Sequence, residues 1–231
     1  MSITLVRLGF TPPSRRFHRG DLGFTGASRA AYAMSFGGSA GQLVGTGPDR
    51  GVGVRKIVAY ELLSLDGVAE HPDDFFTDWD EAMDANLAAV IATQDAVILG
   101  RRSYADWADY WPSSPVEPFA TFINGVEKHV ATSTPLDRDW ANASAIDGDL
   151  VDFVRDLKQQ RGAEIGVHAS ISVAQALLAA DVVDELRLVI APKIAGRGRR
   201  LLDGLPPIRL EPIRSETSPT GSLLVDYRVV R

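Results

Sequence analysis

Three short stretches carry residue types that can do chemistry at a strand end. The first is Ser64-Leu65-Asp66-Gly67, a polar turn after an apolar run. The second is Gly100-Arg101-Arg102-Ser103-Tyr104. Its glycine permits close backbone approach, a helix start behind it leaves N–H groups free, and two arginines suit an anion such as phosphate. The third is His168-Ala169-Ser170, again strand to helix, with a hydroxyl at the capping position. Each also has a plainer reading: a tight Asp-Gly turn, a solvated basic surface and a simple helix cap. Trp107, Tyr110 and Trp111 suit stacking on a ring, or equally the edge of a core. The four histidines form no metal-ligand spacing, so no metal is expected. There is no glycine-rich P-loop and no nucleophile elbow.

Elements must place these stretches side by side. Ile57–Leu63 reads as an inner strand, followed by a helix over 79–93 capped by Asp78. A short strand over 96–99 ends at Gly100, and a helix over 101–107 follows. A short helix over 119–126, a strand over 129–132 and another over 141–146 come next. Asp149 or Asp147 caps a helix that Gly162 closes. A strand over 164–167, a helix capped by Ser170 and a strand over 182–191 complete the alternation. The chain then finishes with strands over 208–213 and 223–230. This order predicts an α/β domain: a mostly parallel central sheet, an antiparallel C-terminal edge and helices on both faces. In such sheets ligands bind outside the carboxyl ends of the strands.

The chain has 231 residues, a net charge of −6 and no cysteine, which excludes a disulfide scaffold, a thiolate metal site and a cysteine nucleophile. The charge divides unevenly. Residues 1–53 hold six arginines and two acids, and residues 54–231 hold 18 basic and 28 acidic residues. The first segment is glycine-rich without a helical or strand period, and reads as a disordered extension, a transit peptide or a mis-called start. The acidic remainder gives no reason to expect nucleic acid, and no apolar run is long enough to span a membrane. The lack of cysteine suits a reducing cytoplasm, where the protein is expected.

Together, Glu61-Leu62-Leu63-Ser64-Leu65-Asp66-Gly67-Val68, the run from Asp95 to Tyr104, Trp111-Pro112, Lys128 to Ser133, Leu177 to Leu186 and Ile190 to Gly198 resemble the RibD C-terminal, dihydrofolate-reductase-like family. The resemblance covers about residues 55–230. It implies a dihydrofolate-reductase-like fold, a homodimer and an NADPH-dependent reductase. Gly100, Arg101, Arg102 and Ser103 would meet cofactor phosphates, with Arg101 or Arg102 reading the 2′-phosphate. Ser133 would lie on the adenosine side, and Ala169, Ser170 and Ile171 at the pyrophosphate. Ser64, Asp66 and Gly67 would border nicotinamide and substrate, with Tyr104 and Trp107 beside the substrate. Ala169 departs from the glycine usual in the family, which puts close phosphate approach in question. The zinc deaminase half of bifunctional relatives needs cysteines that this chain lacks.

Hydride transfer also needs a proton. Asp84 on the first helix and Glu61 on the first strand are the acids considered, each against a structural alternative or an ordered water. The family's known substrate is a phosphoribosylaminouracil, whose phosphate calls for a basic partner near the substrate loop. Residues 60–90 contain no lysine or arginine, which points instead to an uncharged small heterocycle or carbonyl compound. The rival expectation is a binding or regulatory module of the same fold without turnover.

Overall fold

The computed structural model describes residues 54–230. The expectations for residues 1–53 lie outside the described residues. The described residues form eight strands and five helices: β1 Ile57–Leu63, α1 Glu81–Ile91, β2 Gln94–Gly100, α2 Arg101–Tyr110, α3 Phe119–Gly125, β3 Glu127–Ala131, β4 Ala143–Ala145, α4 Leu150–Gln159, β5 Glu164–His168, α5 Ile171–Ala179, β6 Glu185–Ile190, β7 Arg209–Thr217 and β8 Leu223–Val230. They build one sheet in the order β4-β3-β2-β5-β1-β6-β8-β7. The pairs from β4 to β6 are parallel, and β8 pairs antiparallel with both β6 and β7. The predicted α/β class, with its antiparallel C-terminal edge, is the observed one.

Helices cover both faces because the sheet is apolar on both. Every residue of β1 is buried. Tyr60 and Leu62 enter one core with Met83, Leu87, Trp107, Trp111, Phe119 and Ile123 from α1, α2, α3 and the turn after α2. Ile57, Ala59 and Leu63 enter the other with Val154, Leu157, Val173 and Leu177 from α4 and α5. This period of two means that Glu61 shares the face of Ala59 and Leu63, not that of Tyr60. Among the described residues no helix is long and apolar enough to cross a membrane.

Two local expectations change. The cap of α1 is Asp80 rather than Asp78: its carboxylate accepts the Met83 N–H at 3.0 Å. The same carboxylate accepts the N–H and hydroxyl of Thr220 at 3.0 and 2.7 Å, in the turn between β7 and β8. Asp78 instead accepts the neighbouring Thr77 hydroxyl. α2 continues past Trp107 to Tyr110, because Trp107 belongs to its buried face and does not end it. Asp149, one of the two caps considered for α4, accepts from Val151 and Asp152.

Gly166 shows how the sheet makes room for polar groups. It lies between Gln94 on β2 and His168 on its own strand, and a methyl group there would overlap Gln94 Oε1. The bare backbone lets Gln94 Oε1 meet His168 Nε2 at 2.8 Å.

Candidate functional site

A cavity of about 430 Å³ opens at the carboxyl ends of β1, β2 and β5. Its walls are the first turns of α2 and α5, the loop residues Ala69 to Pro72, and Arg199 from the loop after β6. Tyr60, Glu61, Leu62 and His168 form the floor.

The two helix starts are tied together. Gly100 precedes α2 and has no side chain to cap it; its own N–H donates to Ser170 Oγ at 2.9 Å. Ser170 Oγ donates to Ser103 Oγ at 3.1 Å, and Ser103 Oγ donates to the Ala169 carbonyl at 2.7 Å. Ser170 thus spends its hydroxyl across the two turns, and no side-chain cap bond forms on its own helix. The leading N–H groups of both helices have no intrahelical acceptors, and both helix dipoles place their positive ends at this cavity. Ala169 has φ of 47°, the left-handed region that costs a residue with a Cβ roughly 1–2 kcal/mol and that glycine enters freely.

Arginines stand on two sides. Arg101 and Arg102 open α2, and Arg101 reaches Asp137 at 3.4 Å. Arg199 donates to Ser172 Oγ at 2.9 Å in the first turn of α5, while its backbone N–H meets Glu70. Asp106, one turn into α2, lines the cavity too. Burial pushes its carboxyl up, while Arg102 and, more weakly, His71 pull it down. His71 itself takes a left-handed conformation, with φ of 51°.

Two floor residues sit in unusual protonation environments. Glu61 is 3% exposed, and burial raises its carboxyl to about 8 against the opposing effect of a hydrogen bond from the Ser170 N–H. Its Oε1 has no hydrogen-bond partner among the described residues. Burial lowers His168 to about 3, so the ring is neutral and its Nε2–H faces Gln94.

The cavity therefore gathers Glu61, Gly100, Arg101, Arg102, Ser103, Ala169, Ser170 and Ile171 from the residues singled out in the sequence. The others stand elsewhere. Asp84 is exposed on α1 and accepts the Trp79 Nε1–H at 2.7 Å. Asp66 is a strut: it accepts from the Ser64 hydroxyl at 2.7 Å and from the N–H groups of Ala195 and Gly196 at 2.8 and 3.0 Å, with Arg200 alongside. These bonds, the Ser64 hydroxyl first, hold its carboxyl down at about 2. Ser64 is buried, Gly67 supplies the positive φ of the turn, and neither is among the residues that line the cavity. Tyr104 and Trp107 are fully buried in the α1–α3 core, where truncating such a ring typically costs 3–5 kcal/mol. Their spacing faces them into the sheet, and the Tyr104 hydroxyl donates to the Arg138 carbonyl. Ser133 is exposed beyond β3, and Ala131 represents that strand at the cavity.

Glu70, His71, Asp106 and Arg199 were not anticipated. Asp106 was within reach of sequence reasoning, because residues three and four apart share a helix face and it follows Arg102 and Ser103 at that spacing. Arg199 had no such signal, since only the sheet order brings it to the loop after β1.

A model of the RibD C-terminal domain matches residues 55–224. Bacillus subtilis (strain 168) YyaP, an uncharacterized protein, is 25% identical over 189 residues, covering 75% of this chain and 94% of its own. A Shewanella sp. PV-4 protein named for riboflavin biosynthesis shares the fold with a TM-score of 0.63 at 19% identity, over 76% of this chain and 99% of its own. The diaminohydroxyphosphoribosylaminopyrimidine deaminase/5-amino-6-(5-phosphoribosylamino)uracil reductase of Thermotoga maritima gives 0.57 at 17% identity, over 76% of this chain. This chain spans 57% of that longer protein. Dihydrofolate reductase from Enterococcus faecalis, solved with NADP(H), gives 0.51 at 14% identity, over 77% of this chain and 96% of its own.

Proposed function

The chain belongs to the RibD C-terminal domain family, and on that premise we propose that it is an NADPH-dependent reductase of a small heterocyclic or carbonyl substrate. The observation that carries this reading is the convergence of two helix starts and Arg101, Arg102 and Arg199 on one cavity at the strand ends. That donor set suits a dinucleotide: free N–H groups and positive helix ends for a pyrophosphate, and the guanidinium groups of Arg101 and Arg102 for a further phosphate, which leaves Arg199 for the substrate. The Ser103 and Ser170 hydroxyls fix the two turns, so the donors offered to an anion are backbone N–H and guanidinium groups. When bound, the dinucleotide supplies a hydride from its nicotinamide.

The accompanying proton has two candidate carriers on the cavity wall, Glu61 at the floor and Asp106 at the mouth. Asp84 lies outside the cavity, and we assign it no part. The substrate expectation also shifts. Arg199 reaches the cavity from far along the chain, and its loop joins the one after β1 through the Val68–Arg200 bridge. The missing basic partner is thereby supplied, and a phosphorylated pyrimidine such as the one named for the Thermotoga maritima neighbour falls within the proposal.

A second reading, binding without turnover, draws on Ala169, whose methyl stands at the phosphate-binding turn. Adding NADPH and following thermal melting tests both. A rise in melting temperature with oxidation of NADPH across a pterin, pyrimidine and carbonyl panel supports the reductase. A rise without oxidation supports the binding module, and no rise at millimolar NADPH overturns both. Within the reductase reading, Arg102→Ala weakens NADPH by roughly tenfold and NADH by less, as read by titration calorimetry. Equal losses for both would remove Arg102 from 2′-phosphate recognition.

A further inference from the structure

Glu61 stands where the sheet opens. β5 accompanies β1 only as far as Tyr60, opposite His168, whereas β6 continues beside β1 to Leu63. After His168 the chain turns into α5, and the Ser170 N–H at that turn stands by the Glu61 carboxyl and favours its charge. The acid thus lines the cavity floor beside the helix start that would hold an anion. Its unpartnered Oε1 makes one demand: a neutral carboxyl there needs an acceptor for its O–H. An ionised carboxyl would instead face a bound phosphate with its charge and no hydrogen to share.

We propose that Glu61 binds the dinucleotide as a neutral acid, one oxygen accepting the Ser170 N–H and the O–H donating to an oxygen of the ligand. This rests on the reading of the cavity as a dinucleotide site. No covalent bond between heavy atoms changes; one proton moves between solvent and the carboxyl. Because the ligand favours the protonated form, protonation favours the ligand by the same factor. The free acid's value of about 8 puts this linkage in an accessible range. Above it, free Glu61 has lost its proton and the complex must take one up, so affinity falls about tenfold per pH unit. The assignment keeps the Glu61 proton in binding and leaves Asp106, beside His71, as the acid facing the substrate.

Other groups face the same space. His168 from β5 is neutral, Tyr60 is the neighbour on β1, and Leu188 on β6 lies opposite Glu61 and is apolar. Across the cavity stand Arg101, Arg102 and Asp106 from α2, and Glu70, His71 and Arg199 from the loops. Glu61→Gln separates Glu61 from all of them, since the amide keeps an acceptor and a donor without titrating.

The test is titration calorimetry on the full chain with NADPH and NADH from pH 6.5 to 9.5. It uses two non-phosphate buffers of different ionisation enthalpy. NADH removes any contribution from the 2′-phosphate. For the wild type, the Kd for NADH rises on the order of 30-fold between pH 7 and 9.5, with uptake approaching one proton per site. For Glu61→Gln, it stays within about threefold of the wild-type pH 7 value and shows no pH slope. A wild type that takes up no proton above pH 8, or a variant that keeps the slope, overturns the assignment. If the variant fails to fold, the wild-type proton count decides alone. If neither dinucleotide binds at pH 7, the reading of the cavity falls, and this assignment with it.

Discussion

Glu61 lies in β1 and Asp66 in the turn that follows it, and their surroundings treat a carboxyl in opposite ways. Around Asp66 the protein has assembled donors: the Ser64 hydroxyl, two backbone N–H groups from the loop after β6, and Arg200. Charge is favoured there, and the carboxylate pins two loops to each other. Around Glu61 there is one N–H donor and otherwise burial, so the neutral form is favoured. At the adjoining end of β5 stand a left-handed alanine and a neutral buried histidine. The satisfied region is the frame, and the region that leaves groups strained or unpartnered is the one proposed above as the binding site.

The largest test of this contrast is Glu61→Gln. Between about 4.5 and 8 the folded protein holds a proton on Glu61 that the unfolded chain has released. Stability from this group therefore falls as pH rises through that range and is fully lost above it. The variant should melt roughly 5–10 °C above the wild type at pH 9 and almost with it near pH 4.5. Coincident melts at pH 9 would mean that the carboxyl is not buried as described. Asp66→Asn should behave in the mirror sense. The stabilising effect of Asp66 is present above its ordinary value of 3.8 and is lost as pH falls toward 2. The variant should melt roughly 3 °C lower at pH 7, converge with the wild type near pH 2, and bind NADPH within about twofold of it. A large loss of NADPH binding would move Asp66 from the frame to the site. Ala169→Gly should change least. Relief of the left-handed backbone, roughly 1 kcal/mol, is offset by a more flexible unfolded chain, so denaturant midpoints barely move. NADPH affinity should rise several-fold, on the order of 1 kcal/mol, as glycine lets the turn approach a phosphate more closely. Weaker binding would show instead that the methyl packs against the ligand.

These contrasts also mark how far the sequence reached. Strand β8 and the apolar run of β1 were legible because period and turn residues act locally. So were the two helix-start motifs at Gly100 and Ser170, since a strand end followed by a helix start places both at one edge of a parallel sheet. What the sequence did not reach was the placement of single side chains by distant partners. Asp80 displaced Asp78 as a cap because Thr220 also claims it. Asp66 stands outside the cavity lining because its partners lie in the loop after β6. Tyr104 and Trp107 carry rings suited to a substrate, but residue type does not say which face of a helix meets the sheet.

The bond chain from the Gly100 N–H through Ser170 and Ser103 to the Ala169 carbonyl spends every hydroxyl hydrogen it contains. Both rotors are therefore frozen before any ligand arrives. The entropy of ordering these turns is lost once, when the chain folds, and not again at each binding event. For the anion proposed at this edge, the receiving geometry is set beforehand, so association does not wait for the turns to close.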